Sequence, residues 1–227
     1  MEVQLRHQPS FSVARVLLGP NEPLRAEAGA MMAMAADTQI EARAEGGMMK
    51  SLKRAALGGE SIFMTTLTAG PGGGWVDLAA NLPGDLSEVD VVAGRPWLLS
   101  KTAFLGAAQG VTLDTKLQGV KMFAGGEGAF LMEAGGEGKL VVSAYGAIDR
   151  FHLEQGQTVV VDSDHFVACE MSVQYELTKV TSGIVQSMKS GEGLVFRFTG
   201  PGELMMQSRA PRGLVNWLAA HGLGNRG

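Results

Sequence analysis

The residues of this chain best suited to chemistry are Asp162, Asp164 and His165, which lie within four consecutive positions. Carboxylate oxygens and imidazole nitrogens are ligands for hard and borderline metals, and His152 could join them from a neighbouring strand. The spacing, however, matches no compact metal motif. A turn is favoured instead, because short Asp side chains hydrogen-bond to nearby backbone amides. We therefore predict a polar cluster here, with no metal and no cofactor.

A second set of polar residues recurs along the chain. Glu60, Glu127 and Glu192 each lie in a glycine-glutamate motif, and they are separated by 67 and then 65 residues. If three repeats surround one axis, these carboxylates could hold a cation, or repel one another and titrate at a raised pKa. On outer hairpins they would be solvated. The solvated arrangement is favoured.

A basic segment breaks the regular spacing near the first of these motifs. Thirteen residues separate Gly47 from Glu60, against eight and nine in the later copies, and the additional residues include Lys50, Lys53 and Arg54. Three cations on a short amphipathic segment could contact an anionic partner or a membrane surface. A solvated connection or a contact between subunits is the favoured alternative.

The glycine-rich motifs do not match those that bind phosphate. Lys139 follows Gly138, but Glu133 stands where a P-loop requires glycine and Leu140 stands where it requires a hydroxyl. The dinucleotide pattern also fails, and no serine has glycine two residues away on both sides. We therefore predict that the protein is not an enzyme.

Short alternating runs predict a strand-rich chain. Apolar and polar residues alternate over 173–178 and 194–199, and such a period of two places one row of side chains inside and the other outside. Short helices are expected only at residues 49–56 and 213–221. The 32 glycines, spread between apolar runs, suit frequent tight turns.

Several landmarks recur at fixed distances, which indicates internal repeats. The sequence Pro83-Gly84-Asp85 is echoed by Tyr145-Gly146-Ala147, 62 residues later. We predict one all-β domain over residues 1–227, built from three pseudo-symmetric β-rich repeats at approximately 1–80, 81–145 and 146–212. The expected architecture is a double-stranded β-helix or a sandwich-like fold.

Composition excludes several classes of partner. The net charge of −4 provides no general cationic field for phosphates, so DNA binding is not expected. Aromatic residues are 6% of the chain and most lie on the predicted inner face, which argues against RNA binding. Cys169 is the only cysteine and lies in an apolar run, so we predict a buried structural thiol in a reducing cytoplasm. No apolar stretch is long enough for an export signal or a membrane span.

Seven segments together resemble the mitochondrial biogenesis family, which is named for altered inheritance of mitochondria and includes uncharacterised bacterial proteins. The segments are GGMMKSLKR (46–54), LGGESIF (57–63), PGD (83–85), VVDSDHFVA (160–168), GEGLVF (191–196), GPGE (200–203) and QSR (207–209). The resemblance extends from about residue 20 to residue 212. It implies an all-β fold like that of the tryptophan RNA-binding attenuation protein, with internal repeats and oligomers expected. It implies no reaction and no catalytic residues.

These observations predict a non-enzymatic assembly or scaffold protein of unknown pathway. Exposed sheet edges would be closed by homo-oligomerisation, with a trimer favoured. The pairs Met31-Met32, Met48-Met49 and Met205-Met206 suit adaptable apolar contacts. The alternative is a binding module whose site lies between repeats or subunits, for a small ligand, an anionic lipid surface or RNA.

Overall fold

The computed structural model describes residues 1–44, 63–116, 131–179 and 194–223. In this part of the chain it contains nineteen β-strands and one α-helix. The all-β prediction is therefore confirmed.

The strands form three groups of six after an initial strand, β1 (Glu2–Arg6). Repeat 1 consists of β2 (Val13–Leu18), β3 (Pro23–Glu27), β4 (Met31–Met34), β5 (Gln39–Ala44), β6 (Phe63–Thr68) and β7 (Gly74–Ala79). Repeat 2 consists of β8 (Leu86–Val91), β9 (Trp97–Ser100), β10 (Phe104–Ala108), β11 (Val111–Lys116), β12 (Leu131–Gly136) and β13 (Gly138–Ser143). Repeat 3 consists of β14 (Ile148–Leu153), β15 (Thr158–Asp162), β16 (Phe166–Glu170), β17 (Gln174–Lys179), β18 (Leu194–Thr199) and β19 (Gly202–Gln207).

The strands are arranged in four antiparallel sheets. Sheet 1 has the order β1-β2-β7-β4, and sheet 2 has the order β5-β6-β3-β10-β13-β8. Sheet 3 has the order β11-β12-β9-β16-β19-β14, and sheet 4 has the order β15-β18-β17. Sheets 2 and 3 each combine three strands of one repeat with three strands of the next, so consecutive repeats are joined by backbone hydrogen bonds.

Strand pairing follows the same scheme in every repeat. The sixth strand pairs with the first and the third, and the fifth strand pairs with the second and the fourth. The third strand carries a bulge where its register against the sixth strand shifts, between Met31 and Ala33, between Phe104 and Gly106, and between Phe166 and Ala168. These shared registers assign equivalent positions in the three repeats.

Glycine permits close packing at the bulge of repeat 2. A Cβ atom added to Gly106 would lie 2.7 Å from Leu78 Cδ1 and 3.4 Å from the carbonyl oxygen of Arg25. Both neighbours belong to repeat 1. The bulge therefore lets the backbone of β10 approach repeat 1 more closely than a larger residue would allow.

Three apolar clusters fill the spaces between successive sheets. The cluster between sheets 1 and 2 includes Val76 and Leu24, and the cluster between sheets 2 and 3 includes Leu140 and Leu99. The cluster between sheets 3 and 4 contains an aromatic group of Phe166, Phe196 and Phe198, with ring centroids 5.1 to 5.4 Å apart. Because sheets 2 and 3 have apolar clusters on both faces, their central strands are buried on both sides.

The helix α1 (Pro211–Ala220) follows the last strand. It begins two residues before the expected start at residue 213, because the fixed φ of proline suits the first turn of a helix. Trp217 is 54% exposed and its ring stacks on His221, with centroids 4.4 Å apart. Among the described residues no helix is long and apolar enough to cross a bilayer.

We expect the aromatic group to contribute strongly to stability. Phe198 is fully buried, so Phe198→Ala should lower the free energy of unfolding by about 3–5 kcal/mol. Phe11→Ala removes the same atoms from a side chain that is 72% exposed, and it should change that free energy by less than about 0.5 kcal/mol. Chemical denaturation of both variants measures the difference, and similar losses in the two would contradict the described core.

Candidate functional site

The polar turn at residues 162–165 connects β15 to β16. Asp162 is the residue before a 3₁₀ turn, Ser163–His165, and its carboxylate accepts a hydrogen bond from the backbone N–H of Asp164 at 2.8 Å. This bond satisfies an amide that the short turn leaves free. Asp162 therefore has a local structural role.

Gln207, at the end of β19, ties this turn to the sheet. Its amide nitrogen donates to the carbonyl oxygen of Asp164 at 2.6 Å, and its side-chain oxygen accepts from the N–H of Tyr145 at 2.9 Å. The Nδ1 atom of His165 lies 2.6 Å from the carbonyl oxygen of Gln207. A carbonyl only accepts, so Nδ1 carries a proton. Sequence reasoning did not identify Gln207 as a site residue. It is a buried polar residue that follows Met205 and Met206.

Asp164 faces a different partner from its two neighbours. Its carboxylate forms an ion pair with Arg212 of α1, at 3.1 Å from Nε. His152 lies on β14 next to Phe151. Because successive side chains of a strand point to opposite faces, His152 points away from the side of the sheet on which Phe151 and His165 lie. Within residues 1–44, 63–116, 131–179 and 194–223, no three His, Cys, Asp or Glu side chains are grouped so that they could hold a metal ion.

A cavity of about 530 Å³ lies beside β15 and includes two residues of the predicted polar cluster. It has an apolar side formed by strand residues and a polar side that contains two aspartates. Its lining consists of Asp149, Phe151, Val159, Val160, Val161, Asp162, His165, Met206, Gln207 and Ser208. The cavity brings Asp162 and His165 together with Asp149 and Phe151, which sequence reasoning missed. A sequence signal was available, because the 62-residue spacing of Gly84 and Gly146 aligns the charged Asp149 with the uncharged Ser87. The strand registers confirm this equivalence and add Ala14 as the equivalent in repeat 1.

The other predicted site residues cannot be compared with the structure. Lys50, Lys53 and Arg54, together with the expected helix at 49–56, lie outside the described residues. The same holds for the set of repeated glutamates, Glu60, Glu127 and Glu192. Their roles remain predictions.

An ion-pair cluster with a buried carboxylate and two partly exposed arginines lies on the outer face of sheet 1. Arg15 donates from Nε and Nη2 to the two carboxylate oxygens of Asp77, at 2.9 and 2.8 Å, and Arg6 donates to the same carboxylate at 2.8 Å. The guanidinium of Arg15 also lies 4.2 Å from the ring centroid of Trp75. The hydrogen bond from Arg15 holds the pKa of Asp77 below its ordinary value, and the bond from Arg6 acts in the same direction.

The four antiparallel sheets and the three groups of six strands place the described part of the chain in the class of internally repeated, antiparallel β proteins. The family model described as Mitochondrial biogenesis AIM24 matches residues 3–209. The chain belongs to this family, as the resemblance in its motifs predicted.

Two relatives from Streptococcus pyogenes are similar to the chain. An uncharacterised protein of the serotype M6 strain is 31% identical over 166 residues, which covers 72% of this chain and 65% of that protein. The chain thus matches slightly less than two thirds of this relative's length. The crystal structure of another S. pyogenes protein, a structural genomics target, has a TM-score of 0.82 and 25% identity, with 97% of this chain and 99% of that chain covered.

We expect the Asp77 cluster to make stability depend on pH in acid. A carboxyl whose pKa is lower in the folded state stabilises the fold fully above its unfolded pKa of about 3.9, and the contribution is lost as the pH falls through the folded pKa. At neutral pH, Asp77→Asn should therefore lower the free energy of unfolding by about 1–3 kcal/mol. The difference from the wild type should shrink below about pH 4.

Urea titrations between about pH 7 and pH 2.5 measure this difference. Asp114→Asn removes one negative charge from an exposed position on β11 and serves as the control. A difference between wild type and Asp77→Asn that stays constant to the lowest pH would contradict the role of the ionised carboxylate.

Proposed function

We propose that this protein is a non-enzymatic assembly or scaffold protein that forms homo-oligomers, with a trimer as the expected state. The observation that supports this is apolar exposure on two strands at sheet ends. Met31 and Met32 on β4 are 37% and 55% exposed, and Val160 on β15 is 57% exposed. Exposed strand edges with apolar side chains are sites where chains pair with one another.

The residue types on these edges suit a contact between subunits. Methionine side chains are flexible and polarisable, so Met31 and Met32 can adapt to an apolar partner surface. The polar groups in the nearby cavity also support a structural role, because Gln207 and His165 are occupied by hydrogen bonds to the backbone.

A cytoplasmic location is part of this proposal, because the single cysteine, Cys169, is fully buried and forms no disulfide.

We expect purified protein to be oligomeric at micromolar concentration. Native mass spectrometry and light scattering after size exclusion, over a hundredfold range of concentration, measure the number of chains in each species. The proposal predicts a defined oligomer whose share increases with concentration. A monomer at every concentration would contradict it.

A second candidate function is the binding of a small ligand in the cavity beside β15. Its volume of about 530 Å³ lies within the range of ligand sites, roughly 300–1,000 Å³. Its lining also resembles such sites, since apolar side chains such as Phe151 and Met206 are combined with the polar groups of Asp149 and Asp162.

If this candidate is right, the purified protein should carry an added mass that native mass spectrometry detects. Val159→Trp should remove the added mass, because the larger side chain fills the cavity that Val159 lines. Ile40→Trp, at a 48% exposed position on β5, should retain it. An added mass that survives Val159→Trp would place the ligand elsewhere, and the absence of any added mass would count against this candidate.

A further inference from the structure

Two pairs of strands join consecutive repeats inside the chain, and the strands in both pairs occupy the same positions within their repeats. β3 of repeat 1 pairs with β10 of repeat 2, and β9 of repeat 2 pairs with β16 of repeat 3. Each is an antiparallel ladder between the second strand of one repeat and the third strand of the next. The chain therefore contains two copies of one junction.

The two strands that would form a third copy of this junction are both at sheet ends. β15 is the second strand of repeat 3 and ends sheet 4, whereas β4 is the third strand of repeat 1 and ends sheet 1. In the described residues no ladder joins repeat 3 to repeat 1. Among the described strands, none pairs with the outer edge of β15 or with the outer edge of β4, so each of these edges presents backbone N–H and C=O groups to which another strand can bind.

Apolar side chains that are exposed on these edges have buried apolar equivalents at the internal junctions. Met32 is 55% exposed, whereas its equivalents Leu105 and Val167 are at most 1% exposed. Val160 is 57% exposed; its equivalent in repeat 2, Leu98, is 2% exposed, and its equivalent in repeat 1 is the partly exposed Arg25. The exposed apolar side chains of β4 and β15 are therefore those that a junction of the internal type would cover.

The cavity beside β15 occupies the space that the next repeat fills elsewhere. Phe151 lines the cavity and is 40% exposed. Its equivalent in repeat 2, Val89, is 4% exposed and belongs to a cluster that includes Val167 and Met205 of repeat 3. Within residues 1–44, 63–116, 131–179 and 194–223, no strand of another repeat occupies the corresponding space beside repeat 3.

Arg15 on repeat 1 and Asp149 on repeat 3 have opposite charges at positions whose equivalents are in contact at one internal junction. At the junction of repeats 2 and 3, Arg150 donates a hydrogen bond to the hydroxyl of Ser87. The strand registers make Arg15 the equivalent of Arg150 and Asp149 the equivalent of Ser87. A repeat 1 docked on repeat 3 would therefore bring the guanidinium of Arg15 to the carboxylate of Asp149.

We propose that β4 of one copy pairs antiparallel with β15 of a second copy and so forms the third junction between chains. At the internal junctions Leu24 lies opposite Ala108 and Trp97 lies opposite Glu170. The same offset places Val159 opposite Ala35 of the other copy, and therefore Val160 opposite Met34. The side chain of Met32 enters the cavity. This inference rests on the proposed homo-oligomer and specifies its interface.

The contact is heterologous, because the two copies contribute different strands. Each chain uses β15 on one side and β4 on the other, so subunits add head to tail, and a rotation that closes after a few subunits gives a ring. The three-stranded sheet 4 of one subunit and the four-stranded sheet 1 of the next would form one continuous sheet of seven strands, as sheets 2 and 3 are each continuous across a junction.

Disulfide trapping tests the register of this pairing. Met34→Cys and Val160→Cys are prepared separately, mixed in equal amounts and oxidised with copper phenanthroline. Residues directly opposite in an antiparallel pair have Cβ atoms about 4.5–5.5 Å apart, which is close to disulfide range. The mixture should give a covalent dimer, and neither variant alone should do so, because a heterologous contact brings each cysteine only to the other position.

A shifted cysteine on the same strand serves as the matched control. Thr158→Cys lies on the same face as Val160 but two residues away, where the distance to residue 34 is about 7–8 Å. It should form little dimer with Met34→Cys. Native Cys169 is fully buried, and burial raises the pKa of its thiol, so it should not react. Equal dimer yields from Val160→Cys and Thr158→Cys would overturn the register.

A charge on the edge strand tests the interface independently. Val160→Asp should raise the dissociation constant of the oligomer about 100-fold or more, whereas Ile40→Asp, at a 48% exposed position on β5, should leave it unchanged. Thermal unfolding of each variant establishes that it is folded. If the wild type is a monomer, the proposed function fails; if the wild type is an oligomer that Val160→Asp leaves intact, only the interface is wrong.

Discussion

The pairing of the second strand of one repeat with the third strand of the next is the interaction on which this architecture depends. It merges half-sheets of two repeats into sheets 2 and 3, so the backbone groups of β3 and β9 are satisfied by strands that lie more than 60 residues later in the chain. Unpaired backbone groups in a buried sheet would cost free energy comparable to lost hydrogen bonds.

The third strand of a repeat contributes to two cores, because its side chains point to both faces of the sheet. In repeat 2, Phe104 contributes to the cluster between sheets 2 and 3, whereas the adjacent Leu105 contributes to the cluster between sheets 1 and 2. The core of each repeat is thus completed by the repeat that follows. Among the described strands repeat 3 has no such completion, and the cavity beside β15 and the exposed Phe151 lie at the corresponding place.

The polar residues near this cavity illustrate how residue types suited to chemistry can serve structure. Asp162 accepts a backbone N–H, His165 is bonded to a carbonyl, and Gln207 bridges two backbone groups. Buried polar groups need such partners because each unsatisfied one costs about 1–3 kcal/mol. On the opposite end of the molecule, Asp77 occupies a position that is Val141 in repeat 2 and Met205 in repeat 3, and two arginines compensate its charge.

The sequence by itself determined the strands, the burial of Cys169 and the family, because these depend on local alternation, apolar runs and motif spacing. The same local signals predicted a turn after Val161, where Asp162 does accept a backbone N–H. Only the tertiary structure decided which strands are neighbours, which edges stay open and where the cavity lies. An alternating pattern shows that a strand has two faces, but the central strands of sheets 2 and 3 are buried on both, so their residue types do not reveal which repeat covers each face. That choice depends on side-chain packing between strands far apart in the chain, such as the strands in which Leu98 lies opposite Cys169.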